Sequence, residues 1–401
     1  MNLLSLPTEI LASICLYLGV ADSYALQSVN RRFLSLYRTS IELQYALECQ
    51  VACVDDNPRC CLPVATRLLI LRNRESAWRS LKPTSRERIS LPGTAVPRRY
   101  GITRSHYMLG LPSSSLTSSI DGIHSYPIQT QSEDSSWSVV HTEGIVDFGC
   151  CIDECDLIAC VSRAASRGSI LELYLHLFQH STGNPHPLAT NPKILLCREE
   201  VVGSSDWMTM TIEVVGEIAV LAVEATSSFK KMYVLNWKTG ESRCNPIIVS
   251  GSGLVVLSHD LFINPNIDWD CLDIYHIPQP SQGETVRLIQ RLGLPKTCED
   301  TSIHSIQCWA APNPTGDNGF PKYVPASVPF VGRPENAIML FRLDVEQRYR
   351  QSDLSMIVHR CSVMKLLPPP QDWPTISSGR IREWQEWGPE VSCWMENKAH
   401  S

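Results

Sequence analysis

Residues 232–241 read Met232-Tyr-Val-Leu-Asn-Trp237 followed by Lys238-Thr-Gly-Glu241. The first part is rich in aromatic and branched apolar residues, and the Thr-Gly pair supplies a tight turn, so the segment is a strand ending in a hairpin turn. Two other segments have the same form: Leu173-Tyr-Leu-His-Leu177 leads to Ser181-Thr182-Gly183, and Leu272-Asp-Ile-Tyr-His-Ile277 leads to Pro278-Gln279-Pro280. The first two start 59 residues apart (173 to 232) and the next 40 (232 to 272). The second spacing fits one propeller blade, roughly 40 to 50 residues.

Outward from these segments the texture persists. Short β-type runs occur at Leu157 to Val161, Ile170 to Phe178, Ile218 to Val223, Leu254 to Leu257, Ala337 to Leu343 and Met356 to Cys361, with turn residues between them and no long amphipathic helix. Many short strands of this kind make a sandwich, barrel or propeller. The repeat favours a degenerate β-propeller over residues 107–398, with room for about six or seven blades.

The N-terminal part has the other period. Ile10, Ile14 and Leu18 recur every four residues with Leu11 alongside, which predicts one apolar helical stripe. Pro7 suits the first turn, Glu9 favours its positive end, and Gly19 is placed to end the helix. Asp22 is the expected cap of a second helix carrying Leu26 and Val29, and Asn30 of a third carrying Phe33, Leu34 and Tyr37. Further helix is expected over Ile41 to Val54 and, after Leu62-Pro63, through Val64, Leu68, Leu71 and Trp78. The fold class expected is therefore α+β and multidomain: a helical module over 1–45, a helical extension over 46–81, a linker over 82–106 and the β domain. Lys82, Arg86, Arg88, Arg98, Arg99 and Arg104 make the linker basic; it reads as a solvated connection or as a docking strip.

Composition narrows the classes. The chain has 401 residues, 43% hydrophobic and 19% charged, and a formal net charge of −6, which gives no reason to expect nucleic acid or an acidic membrane as the main partner. Met1 to Val20 is apolar but lacks a basic n-region and contains Pro7 and Glu9, so it is not expected to be a signal peptide. No segment has the roughly 18 consecutive apolar residues of a membrane span. An intracellular location, cytoplasmic and/or nuclear, is expected. The 16 cysteines then read as free thiols. Cys60-Cys61, Cys150-Cys151, Cys155 and Cys160 lack paired CxxC spacing with partner histidines, so no metal or other cofactor is expected.

Leu6-Pro7-Thr8-Glu9-Ile10-Leu11, then Asp22, Leu26 and Val29-Asn30-Arg31-Arg32-Phe33, resemble the F-box motif, with Ser23 standing where that family has leucine. Leu62-Pro63 through Glu75 and Ala77-Trp78 resemble the segment after the F-box in a large group of F-box proteins from mushroom-forming fungi. Val234-Leu-Asn-Trp-Lys-Thr-Gly-Glu241 resembles the strand and turn of a WD-repeat blade, with Asn236-Trp237 replacing the usual Trp-Asp. The resemblance implies a non-catalytic substrate-receptor subunit of a Skp–cullin–F-box ubiquitin ligase. The F-box would bind a Skp-family adaptor, and through it cullin, and the propeller would bind a client protein. It places Leu6, Pro7, Ile10, Leu11, Leu26, Val29 and Phe33 at adaptor-binding positions.

Other readings stay open. One is a scaffold that binds the adaptor outside any complete ligase. Another is a propeller-fold hydrolase, for which His259-Asp260 is a conspicuous pair; no Gly-x-Ser-x-Gly elbow, phosphate loop or His-Glu-x-x-His helix accompanies it. Trp207, Trp237, Trp269, Trp309, Trp373, Trp384, Trp387 and Trp394 serve either as client anchors or as packing between blades. Gln347 to Arg350, with Arg342 and Arg360, is a candidate basic surface or a solvated strand edge.

Overall fold

The computed structural model describes residues 3–83, 86, 99–112, 120–128, 137–164, 170–200, 208–226, 229–251, 253–279, 285–296, 301–316, 319–347, 350–376 and 379–397. The chain is α+β with a large β part and divides into two compact units. One is Met1–Gly93 with Val324–Arg333, and the other is Thr94–Tyr323 with Pro334–Ser401.

The helical unit contains α1 (Thr8–Cys15), α2 (Val20–Val29), α3 (Arg31–Thr39), α4 (Ile41–Val51), the short strand β1 (Val54–Asp56) and α5 (Val64–Ser80). Local chemistry sets these boundaries. Asn30 accepts the Arg32 N–H at 2.8 Å and so caps α3; Ser40 accepts the Leu43 N–H at 3.3 Å and caps α4. Pro7 and Pro63 stand immediately before α1 and α5. Gly19 does not end α1, which stops at Cys15; it is the N-cap of α2, and Asp22 lies in the first turn of that helix instead of capping it. A carboxylate there still favours the positive helix end.

Leu11, Cys15, Phe33, Leu36, Tyr37 and Leu43 form one buried core. A second gathers Tyr45, Cys49, Val54, Leu68 and Leu71 around Phe330, which arrives from a distant part of the sequence. Asn57 fixes that returning segment. Its fully buried side chain donates to the carbonyls of Pro325 (3.0 Å) and Val328 (2.7 Å), and its backbone N–H donates to Pro329 (2.9 Å).

The β unit carries β2 (Tyr100–Ile102), β3 (His106–Pro112), β4 (Ile120–Pro127), β5 (Trp137–Cys151), α6 (Ile152–Cys155), β6 (Leu157–Arg163), β7 (Ile170–Gln179) and β8 (Lys193–Glu200). Next come β9 (Thr209–Val215), β10 (Ile218–Thr226), β11 (Phe229–Asn236), β12 (Ile247–Ile248), β13 (Val255–Ser258), β14 (Leu261–Asn266), β15 (Cys271–His276), β16 (Arg287–Gly293) and β17 (Thr301–Ala310). β18 (Phe330–Gly332) belongs to the helical unit, where it pairs antiparallel with β1. The β unit ends with β19 (Ile338–Gln347), β20 (Arg350–His359), α7 (Arg360–Met364), β21 (Arg380–Arg382), α8 (Trp384–Val391) and β22 (Ser392–Asn397).

Its sheets follow one another along the chain. β2 to β8 form a seven-stranded sheet, β9 to β12 a four-stranded one, β13 to β16 with β21 a five-stranded one, and β17, β19, β20 and β22 the last. β5 lies against β9, β9 against β13 and β13 against β17. Cores fill the spaces between consecutive sheets, and β10 shows why its sequence is apolar without alternation: Ala219, Leu221 and Val223 enter the core shared with β6 and β7, while Val220 and Ala222 enter the core shared with β14 and β15.

The expected strand runs are strands, and the three strand-turn repeats fall on β7, β11 and β15. The expected ring of six to seven blades is not what the sheets make: no closed propeller is seen among the described residues. Seven strands pool into one sheet, and residues 311–337 and 360–391 go largely to turns, short helices and the segment given to the helical unit. β2 lies within the stretch expected as linker; most of that linker, including Arg88 and Arg98, lies outside the described residues. No helix among the described residues is long and apolar enough to cross a membrane.

Candidate functional site

The seven adaptor-binding candidates, which run from just before α1 to α3, divide between core and surface. Leu11 and Phe33 are buried in the helical core, and Leu6 and Leu26 pack half-buried against it. Pro7, Ile10 and Val29 are exposed, Ile10 at 49% and Val29 at 77%. The single stripe read from Ile10, Leu11, Ile14 and Leu18 is two faces. Leu11 and Cys15, four apart, point inward, whereas Ile10 and Ile14, also four apart, point outward. Leu3, Leu16, Tyr17 and Tyr24 add to the exposed apolar surface. Sequence reasoning missed these four, although Tyr17 continues the i, i+4, i+7 series of Ile10 and Ile14. Arg32 orders the entry to this face: its guanidinium donates to the carbonyls of Leu4 and Leu6, the latter at 2.9 Å.

A cavity of about 350 Å³ lies beside α4 and β1, lined by Glu42, Tyr45, Asp55, Asp56 and Arg333 among others. Its acids are engaged. Asp55 pairs with Arg333 at 2.7 Å, Asp56 pairs with Arg67 at 2.9 Å, and Glu42 accepts from Ser40.

In the β unit, Trp237, Trp373 and Trp387 are buried, and Trp384 stacks edge-on between Trp387 and Trp394 at 5.0 and 5.7 Å. These five are packing residues. Trp269 (65% exposed) and Trp309 (49%) remain open to a partner, and Trp207 lies outside the described residues. The candidate basic surface does not form: Arg360 is 1% exposed and Arg342 pairs with Asp353, while the side chains of Gln347 to Arg350 lie outside the described residues. In the basic strip, Arg99 and Arg104 are paired with Asp147 and Asp153.

Arg360 sits in a buried polar centre. Its Nη1 donates to the carbonyls of Pro312 (2.7 Å) and Pro334, while Nε and Nη2 have no protein partner among the described residues. Burial pulls its pKa down to about 10. Glu213 accepts a hydrogen bond from Asn313; burial pushes its carboxyl up to about 7 against the opposing pull of Asn313 and Arg360.

Two Ser-His-Asp groupings bear on catalysis. Beside His259 and Asp260, Ser258 donates to Asp260 at 2.6 Å and not to the imidazole, so Ser258 is not activated by His259. Ser125 Oγ is 3.1 Å from His180 Nε2, and His180 Nδ1 is 3.8 Å from Asp156. Burial and His106 hold His180 down at about 4. Ser125 is fully buried, however, and Asp156 also binds Gln179 and Ser181. The arrangement ties β4 to the turn after β7.

Neither a protein-family model nor a curated protein matches the chain.

Proposed function

We propose that the protein is the substrate-receptor subunit of a Skp–cullin–F-box ubiquitin ligase, acting in the cytoplasm or nucleus without chemistry of its own. The observation that supports this most is the exposed apolar face of α1 and α2. Pro7, Ile10 and Val29 are exposed, as are Ile14, Tyr17 and Tyr24, over a core too small to take them in. A partner surface of aliphatic side chains covers such a face. The β unit is the client receptor in this reading. Its consecutive sheets, all antiparallel but for the β16–β21 pair and adjoining through β5, β9, β13 and β17, support an open, degenerate propeller-like arrangement. The ligase role itself is proximity: a client held near a charged ubiquitin carrier meets it at raised effective concentration.

The test is recovery of a Skp-family adaptor on the full chain. Ile10→Asp/Val29→Asp changes two exposed residues and leaves the core untouched, so it is expected to abolish capture while circular dichroism stays unchanged. Leu6→Ala/Pro7→Ala is expected to weaken it. Equal recovery by wild type and Ile10→Asp/Val29→Asp sinks the interface.

A further inference from the structure

α6 is a single turn, Ile152–Cys155, with Cys151 at its N-cap. Spacings of three and four residues bring side chains to one side of such a turn. The two sulfurs of Cys151 and Cys155 and a carboxylate oxygen of Glu154 all lie within 4.8 Å of one another. Cys151 Sγ is 3.7 Å from Glu154 Oε2. Tetrahedral zinc bonded to sulfur and oxygen holds neighbouring ligand atoms ~3.5 to 3.8 Å apart, so the three are close to a chelating set before any ion enters.

A second observation concerns what holds Glu154. Its Oε2 accepts the Gly216 N–H at 3.0 Å and its Oε1 accepts the Gly316 N–H at 2.6 Å. Each carboxylate oxygen keeps a lone pair beyond these bonds. The two glycines are packed against each other. A Cβ on Gly216, whose φ is +56°, would stand 2.8 Å from Gly316 Cα, so the turn between β9 and β10 and the loop after β17 close over the carboxylate only as glycines. Backbone donors behind a carboxylate are what orients it as a metal ligand. Cys155 is buried, and Cys151 and Glu154 are partly exposed.

We propose that Cys151, Glu154 and Cys155 bind one zinc ion through two thiolates and a carboxylate, with water in the fourth position. Binding displaces the two thiol protons to solvent, so affinity rises with pH. The ion clips α6 to the two glycine turns.

The experiment uses the full chain, kept reduced, stripped with a chelator and titrated with zinc, and with cobalt(II) as the coloured probe. One equivalent of zinc, proton release and a thiolate-to-cobalt absorption band are expected. Cys151→Ala and Cys155→Ser should each lose the band, Glu154→Gln should weaken zinc binding tenfold or more, and Cys244→Ser should change nothing. Cys151 is partly exposed, so Cys151→Ala keeps the test available if Cys155→Ser fails to fold. Absence of zinc uptake by the reduced wild type overturns the proposal, as does a cobalt band that survives Cys151→Ala. So does finding that the pair serves only as a Cys151–Cys155 disulfide once reductant is removed.

Discussion

The Tyr37 hydroxyl donates a 2.9 Å hydrogen bond to Ser23 Oγ inside the helical unit, where both side chains are buried. Ser23 on α2, read in the sequence as a departure from the F-box motif, therefore has a buried partner of its own on α3. Removing Ser23 leaves the Tyr37 hydroxyl only the longer contact to the Cys15 carbonyl, at 3.4 Å. Ser23→Ala is expected to cost about 1 to 2 kcal/mol in denaturant unfolding. Ser23→Ala/Tyr37→Phe should cost less than the sum of the two single changes; strict additivity would show that the bond carries no coupling.

Asn57 makes its bonds to the 324–333 segment from a fully buried position. Asn57→Ala leaves two carbonyls without their donor, an expected loss of about 2 kcal/mol. Limited proteolysis reads it directly: cleavage between Val324 and Arg333 should speed up in the variant, and an unchanged cleavage rate would refute the anchoring role.

Glu213 carries a pH dependence of known sign. Burial pushes its carboxyl up to about 7 in the folded chain, against 4.5 for an exposed glutamate. Between those values the folded chain holds a proton that the unfolded chain has released. Stability therefore falls as pH rises through that window, by up to about 1.4 kcal/mol per pH unit. Asp147, raised by burial to about 6, adds a parallel fall at lower pH. Glu213→Gln keeps an acceptor for Asn313 and should flatten the upper part of the curve; superimposable pH–stability profiles would contradict this.

Trp237 and Trp269 separate packing from surface. Trp237 is fully buried and donates its Nε1–H to Gly216 O at 2.8 Å, so Trp237→Ala should cost about 3 to 5 kcal/mol. Trp269→Ala, at an exposed position, should stay within about 0.5 kcal/mol in stability. Thermal unfolding of the two variants compares them.

Much of this was legible along the chain because the signals are local. The cap at Asn30, the prolines before α1 and α5, and the strand-turn units around Gly183 and Gly240, both at positive φ, depend on neighbours in sequence. What escaped depends on distant ones. Arg360 looked like surface charge because nothing nearby in sequence reveals the carbonyls of Pro312 and Pro334 that take it inside. β18 has three residues and pairs with a strand 276 positions earlier at its centre, Asp55 against Val331; no periodicity announces such a pairing. Cys151 and Cys155 lack the paired spacing of familiar metal motifs, and the glycines that position Glu154 come from residues 216 and 316.

The loan of residues 324–333 to the helical unit makes the two units inseparable by a single cut. The chain passes from one unit to the other at 93/94, 323/324 and 333/334, so a nick in the stretch before Thr94 leaves two covalent tethers intact. A recombination event that transplants the N-terminal helices as one contiguous cassette leaves Phe330 and β18 behind, with the core around Leu71 open on one side. In evolution these helices and this β unit can be exchanged only as a pair, or only after a replacement for that ten-residue insert has been found.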